Sequence, residues 1–206
     1  MNGKKIITFS NINGNFEKFV EIFSKIKEKS GKFDLIILIG NIFNKSKDFA
    51  TVKELEKLQT KILIFDSSEV GIVTKHKLSY KEYELNDYVT ILGRSGVYIF
   101  ENIRIAYISG KENKKYLSDD VKYIYTTCFF SKGDFDNLIS QTEVSGFKTD
   151  ILLTHCMPSI IYEEILKYNI YLINCIAILT QPSILISLQL INKNLKKIFP
   201  PLLIFY

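Results

Sequence analysis

The stretch KIITFSNINGNFEKFVEIFSKIKEKSGKFDLIILI, residues 5–39, decides the fold of this chain. It opens with a short β-branched run at 5–9 that stops at a polar turn, 10–15. Apolar residues then recur at helical spacing, with glutamate and lysine on the opposite face, until Gly31 closes the predicted helix. The run 33–39 is apolar apart from one aspartate, which is typical of a strand buried on both faces of a parallel sheet.

The elements that follow extend this βαβ unit and then depart from it. Helices are predicted at 48–58 and 134–141, and strands at 61–65, 89–93, 96–100, 103–109 and 151–154. The first three strands predict a parallel sheet with right-handed crossovers. The close spacing of the strands between 89 and 109, with Gly- and Asn-bearing turns, indicates antiparallel pairing there. We therefore predict one α/β domain.

The composition is that of a globular protein. Of 206 residues, 47% are hydrophobic and 24% are charged, so the chain can bury a substantial core and is not disordered. The net charge of +5 mildly favours an anionic partner, but acids alternate with the lysines, as on a solvated face. The three cysteines occur singly, which argues against a zinc knuckle or a disulfide scaffold and predicts a reducing intracellular compartment.

The C-terminal part has a different character. No residue between 168 and 192 is charged, and isoleucine and leucine dominate. Its length fits a transmembrane segment, whereas Pro182 and the scattered polar residues favour a buried helical segment. A third alternative is that 168–206 is an atypical apolar tail that is not a genuine part of the domain. We accordingly divide the chain into a domain at 1–167 and this tail.

Polar turns follow three of the predicted strands, where an open parallel sheet collects its ligands. They contain Asn11 and Asn13 after the first strand, Asn41 and Asn44 after the second, and His155 after the late strand. A two-metal phosphoesterase uses the same arrangement, with carboxylates and imidazoles from successive loops holding two cations that clamp a phosphate. Such cations need anionic oxygens or imidazoles, so the asparagines fit turn and capping roles better than ligation.

At these positions the chain resembles the calcineurin-like metallophosphoesterases. Their Asp-x-His motif falls on Asn11-Ile12-Asn13, and their Gly-Asp-x-x-Asp motif on Gly40-Asn41-Ile42-Phe43-Asn44. The third motif falls near Asp66 and Glu69, and the lone histidine on His155, while the final Gly-His-x-His is absent. The resemblance implies a β-sandwich flanked by helices, with a degenerate metal site at these positions.

More specifically, the chain is similar to the N-terminal domain of the CwfJ family, which are splicing factors related to and associated with the lariat debranching enzyme. The similarity runs from about residue 4 to 160 and is carried by segments at 13–16, 30–35, 40–43, 89–96, 107–110 and 149–154. The C-terminal CwfJ domains of the family are missing, so the resemblance implies a truncated version. It also implies a nuclear protein that works near intron-lariat turnover.

These observations predict a pseudoenzyme: a non-catalytic phosphoesterase-like module that binds protein or RNA in pre-mRNA splicing, without a cofactor. Its expected partners are spliceosomal proteins and the lariat debranching enzyme, with RNA as a further candidate and no membrane. One alternative is a weak metal-dependent phosphodiesterase on RNA that uses His155 with Asp66 or Glu69 and Mn²⁺ or Zn²⁺. Another is a membrane-anchored protein that uses residues 168–192. Arg94, in a Gly-Arg-Ser-Gly turn, is either a contact to phosphate or RNA or part of an ordinary turn.

Overall fold

The computed structural model describes residues 4–44, 48–66, 82–110, 129–144, 149–154 and 203–205. The helices are α1 (Phe16–Ser30), α2 (Asp48–Lys53), a 3₁₀ turn (Glu54–Leu58) and α3 (Lys132–Val144). The strands are β1 (Ile6–Ser10), β2 (Leu35–Gly40), β3 (Lys61–Asp66), β4 (Tyr83–Glu84), β5 (Val89–Ile91), β6 (Ser95–Phe100), β7 (Ile103–Ile108), β8 (Ile151–Thr154) and β9 (Leu203–Phe205).

The strands form two sheets. The first sheet has the order β1-β2-β3-β5-β4, in which all neighbours are parallel except β4 and β5. The second sheet has the order β6-β7-β8-β9, with an antiparallel β6–β7 hairpin and two parallel pairs. The carboxyl ends of β1, β2 and β3 therefore meet at one edge of the first sheet.

The sheets and helices stack in four layers. On one face of the first sheet, the phenylalanines of α1 pack on apolar residues of β2, β3 and β5, and Phe9 meets Phe19 edge to face at 4.9 Å. The other face of the first sheet packs directly on the second sheet, where Leu63 and Phe65 meet Tyr107 and residues of β8. Helix α3 covers the outer face of the second sheet. The α/β architecture is thus two sheets packed face to face with helices outside.

The sequence predicted most of these elements, with two corrections. The helix expected at 48–58 is divided into α2 and a 3₁₀ turn. The strand expected at 89–93 is shorter, and it is parallel to β3, with an antiparallel neighbour only in β4. The Leu92 N–H continues this parallel ladder by donating to the Ile64 carbonyl at 2.9 Å. Strands β4 and β9 were not predicted.

Most of the apolar tail lies outside the described residues. Of 168–206 only β9 is described, and it pairs with β8 in parallel. The proposed boundary at 167 and the segment 168–192 therefore stay predictions. None of the helices in the described ranges is long and apolar enough to cross a membrane.

Candidate functional site

The loop after β1 begins with a residue in the left-handed region. Asn11 has a φ of 52° and Asn13 a φ of 53°, a conformation that asparagine tolerates better than most residues. The Asn11 N–H still donates to the Ile39 carbonyl at 3.0 Å, so the loop leaves β1 while bound to β2.

The Asn11 side chain reaches across to the loop after β2. Its Oδ1 accepts a hydrogen bond from the Asn41 N–H at 3.0 Å. Gly40 precedes this contact with a φ of 91°, and a Cβ on that residue would lie 2.5 Å from the Asn11 Oδ1. The close approach of the two loops therefore requires glycine at position 40.

Backbone hydrogen bonds join the same two loops further along. The Asn13 N–H donates to the Asn41 carbonyl at 2.8 Å, and the Gly14 N–H donates to the Ile42 carbonyl at 2.7 Å. The Asn13 Nδ2 turns back to donate to the Asn11 carbonyl at 3.1 Å. The two asparagine side chains thus help to define the shape of the loops.

Asp66, at the end of β3, binds the backbone of the loop after β2. Its side chain is buried, at 2% exposure, and its Oδ1 accepts hydrogen bonds from the N–H groups of Ile42 at 2.8 Å and Phe43 at 3.5 Å. A buried carboxylate needs such donors, because water does not reach it. The carboxylate predicted as a remnant metal ligand therefore binds two backbone amides.

The structure brings together Asn11, Asn13, Asn41 and Asp66, and Asn44 lies exposed in the loop after β2. Glu69 and His155 lie outside the described residues. Within the described ranges, no three histidine, cysteine or acidic side chains are arranged to hold a metal ion. Divalent cations prefer anionic oxygens and imidazoles, so the neutral amides that dominate the described part do not fit a metal pair.

Arg94 follows β5 but does not face solvent. Its side chain and that of Asp134 are each 3% exposed, and the Arg94 Nη2 lies 2.6 Å from the Asp134 Oδ2. The Arg94 Nε donates to the Asp134 Oδ1 at 3.2 Å, and Nη2 also donates to the Phe129 carbonyl at 2.6 Å. A surface phosphate could reach this guanidinium only if the buried pair were broken. Of the two alternatives for Arg94, these contacts fit a structural role better than a contact to phosphate or RNA.

Known relatives were found for three quarters of the chain, although no family model matches it. It is 29% identical to CWF19-like protein 1 of Xenopus laevis over 163 residues, 75% of this chain and 28% of that protein. Over the same shares it is 30% identical to the Pongo abelii protein of that name and 27% identical to the Caenorhabditis elegans homolog.

The chain is a homologue of the CWF19-like proteins. The relationship to the CwfJ family that the sequence predicted is thereby confirmed, whereas the likeness to metallophosphoesterases stays a prediction. The chain spans 28% of the length of these curated relatives.

Asp134 is the residue of this region that sequence reasoning missed. It accepts hydrogen bonds from the Ser131 N–H at 2.7 Å and the Ser131 Oγ at 2.9 Å, while the Asp134 N–H donates to Ser131 Oγ at 3.3 Å. Burial alone would raise the pKa of Asp134, but the bonds from Arg94 and Ser131 and the charge of Arg94 outweigh it and lower that pKa. The Ser-x-x-Asp spacing of a helix N-terminus was the available signal.

Tyr107 is a second buried polar residue that the sequence did not single out. It lies between the sheets, and its hydroxyl donates to the Glu82 Oε1 at 2.9 Å. Burial, together with the Glu82 carboxylate, raises the pKa of Tyr107 well above its usual range. Tyr107 is therefore a neutral hydrogen-bond donor that links β7 to the segment before β4.

Proposed function

We propose that this chain is a phosphoesterase-like module without a metal centre, which acts in pre-mRNA splicing and intron-lariat turnover by binding protein or RNA. Its homology to the CWF19-like proteins supports the splicing context. The two face-to-face sheets with outer helices support a calcineurin-like sandwich. The proposal places the protein in the nucleus.

One observation carries the non-catalytic assignment. Where the resemblance expects acidic ligands, the chain has Asn11, Asn41 and Asn44. The Asn11 Oδ1 and the Asp66 Oδ1 both accept hydrogen bonds from the backbone of the loop after β2. A two-metal centre uses such oxygens to bind and neutralise cations, whereas here they stabilise the loops.

These hydrogen bonds also explain how the strand-end loops hold their shape without an ion. In a metal site, cations bridge ligands from successive loops and so tie the loops together. In this chain the Asn11–Asn41 and Asp66–Ile42 bonds connect the same three strand ends. The edge of the first sheet is thus preorganised as a surface that a partner can recognise.

Metal binding tests the non-catalytic part of the proposal. Titration of the full chain with Mn²⁺ and Zn²⁺ by calorimetry is expected to show no binding at micromolar metal, with the same result for His155→Ala. Binding near the stoichiometry of a two-metal centre, lost in His155→Ala, would overturn the assignment. Branched RNA would then be the substrate to test for phosphodiesterase activity.

Association tests the binding part. The full chain is mixed with purified lariat debranching enzyme, with a branched RNA, and with an unbranched RNA of the same composition. Co-sedimentation with the enzyme, or retention of the branched RNA in preference to its control, is expected without cleavage. If the chain binds none of these molecules, and also fails to bind any splicing complex that assembles in nuclear extract, the proposed role in splicing is wrong.

A further inference from the structure

Strand β6 lies at one edge of the second sheet, and alternate residues direct their backbone groups outward. The Ser109 N–H donates to the Arg94 carbonyl at 2.7 Å, which fixes the phase of the β6–β7 ladder. In an antiparallel pair every second residue bonds to the neighbouring strand. Ser95, Val97 and Ile99 consequently present their N–H and C=O groups to the open side.

Two amide side chains of α3 occupy the first part of this edge. The Asn137 Nδ2 donates to the Ser95 carbonyl at 2.9 Å, and the Val97 N–H donates to the Gln141 Oε1 at 2.9 Å. Four helical residues rise about 6 Å, close to the roughly 6.7 Å spanned by two strand residues. One turn of α3 therefore matches one repeat of β6, and the helix substitutes for a neighbouring strand.

This cover ends before the strand does. The described part of α3 ends at Val144, one residue short of the next position in the same helical row. Among the described residues nothing is bonded to the outward Val97 carbonyl or to the N–H and C=O of Ile99. The Ile99 side chain is 62% exposed, and β-branched residues favour strand pairing.

We propose that this open part of β6, from Val97 to Ile99, is a docking site for an extended segment of a protein partner, which adds to the second sheet as a further strand. The unpaired backbone groups are complementary to another extended backbone, and Ile99 provides an apolar contact. RNA offers no such ladder.

Charge complementarity specifies the segment further. Arg104 on β7 is the cross-strand partner of Ile99, so the two side chains share a face of the sheet. No described carboxylate lies within ion-pair distance of the Arg104 guanidinium. A segment with an apolar residue opposite Ile99 and acidic residues on the same face therefore fits best.

The docking site is separate from the loops after β1, β2 and β3, on which the proposed absence of a metal centre depends. Those loops lie at the carboxyl ends of β1, β2 and β3, whereas β6 starts beside Arg94 and Ile99 lies near its far end. The metal titration and the docking experiment can therefore fail independently.

The test uses the full chain labelled with ¹⁵N and a short peptide with blocked ends. Every second residue of the peptide is threonine, and the residues between the threonines are Glu, Val and Glu in that order. Adding the peptide is expected to shift the Ile99 amide and slow its hydrogen exchange, with smaller changes at Tyr98 and Phe100, which already pair with β7. The same peptide with lysine in place of glutamate should bind about fivefold or more weakly, which corresponds to the loss of about 1 kcal/mol.

Ile99→Pro removes the outward donor, and an edge strand tolerates proline there because that N–H does not bond to β7. This variant should lose binding, as should Ile99→Lys, while Ile22→Lys on the exposed side of α1 should bind like the wild type. Absence of a localised shift at Ile99, or unchanged binding by both Ile99 variants, would overturn the proposal. A concentration-dependent dimer abolished by Ile99→Pro would instead assign the edge to a second copy of the chain and refute a foreign partner.

Discussion

The buried Arg94–Asp134 pair supplies the sharpest test of how the second sheet is connected to α3. Replacing Arg94 by methionine keeps the volume of the side chain but leaves the Asp134 carboxylate without its cation. Breaking a buried pair in this way costs about 3–5 kcal/mol of unfolding free energy. Since whole domains are stable by roughly 5–15 kcal/mol, the variant should be marginally folded.

The structure supports the upper part of that range. Among the described residues, the guanidinium donates two hydrogen bonds to Asp134 and one to the Phe129 carbonyl, and the Arg94 and Asp134 side chains are almost fully buried. After the substitution only the Ser131 donors remain to the carboxylate among the described residues. Removing the negative charge of Asp134 as well should recover part of the lost stability, so Arg94→Met/Asp134→Leu should be more stable than Arg94→Met. It should still fall below the wild type by about 1 kcal/mol, because the hydrogen bonds from the Ser131 N–H and Oγ to the Asp134 carboxylate are lost.

Urea unfolding followed by far-UV circular dichroism measures these differences, and the pH dependence gives an independent check. The folded-state pKa of Asp134 is lowered, so its contribution is fully present above the unfolded pKa of about 3.9 and is lost as the pH falls through the folded pKa. Between those pH values the wild type should lose more stability than Asp134→Asn.

The partly buried Arg104, which has no described ion pair, provides the control for Arg94→Met. Arg104→Met should cost under about 1 kcal/mol of unfolding free energy.

Two results would refute this reasoning. A loss below about 1 kcal/mol for Arg94→Met would mean that the guanidinium is not committed to Asp134 in solution. A double variant no more stable than Arg94→Met would mean that the uncompensated carboxylate is not the cause of the loss. Either outcome would restore a phosphate contact by Arg94 as a serious alternative.

Further predictions concern the strand-end loops and the core. Gly40→Ala should lose about 2–3 kcal/mol of unfolding free energy, because alanine is strained at a φ of 91° and its Cβ would displace the Asn11 side chain. In a double-mutant cycle, adding Asn11→Ala should recover part of this loss. If the losses of the two single variants simply add, the predicted clash is contradicted. Thr90 has a buried hydroxyl without a hydrogen-bond partner among the described residues, so Thr90→Val should leave the thermal midpoint unchanged or raise it by a few degrees. A clear loss of stability in Thr90→Val would show that the hydroxyl has a partner in solution.

The first sheet could be predicted because its signals are local. The apolar run in β2 is buried along its length, and the phenylalanine stripe of α1 packs on the sheet as its spacing indicates. The direction of β5 could not be predicted, because periodicity identifies a strand without saying which neighbour it will join. Strand β4 consists of only two residues, Tyr83 and Glu84, which are both exposed, so its sequence gives almost no pattern.

The candidate site was predictable in position but not in its bonding. Carboxyl ends of neighbouring parallel strands share an edge, so the turns bearing Asn11 and Asn41 and the end of β3 had to meet. That the Asn11 Oδ1 would accept the Asn41 N–H depends on a left-handed backbone at Asn11, and composition and spacing do not specify that geometry. Arg94 and Asp134 are forty residues apart, and only the tertiary fold brings them together.

Restoring the acidic residues of the motif would test why asparagine occupies these turns. In the triple variant with aspartate at positions 11, 41 and 44, three new carboxylates stand in the loops after β1 and β2, which Asn11 and Asp66 connect to the neighbouring strand ends. Like charges a few ångströms apart cost about 1 kcal/mol per pair in water, so the variant should be less stable than the wild type at low salt and should recover partly at high salt.

Mn²⁺ should reverse this loss in the acidic variant alone. A metal at about 100 times its dissociation constant stabilises a protein by about 2.7 kcal/mol if it binds only the folded state. The wild type, with neutral amides at the same positions, should gain little. Alanine at the three positions is the control, since it removes the amide hydrogen bonds without adding charge. If the acidic variant is as stable as the wild type without metal, charge repulsion does not explain the asparagines. If the wild type gains as much from Mn²⁺ as the acidic variant, the amide-lined edge binds metal after all, because the neutral ligands are then sufficient.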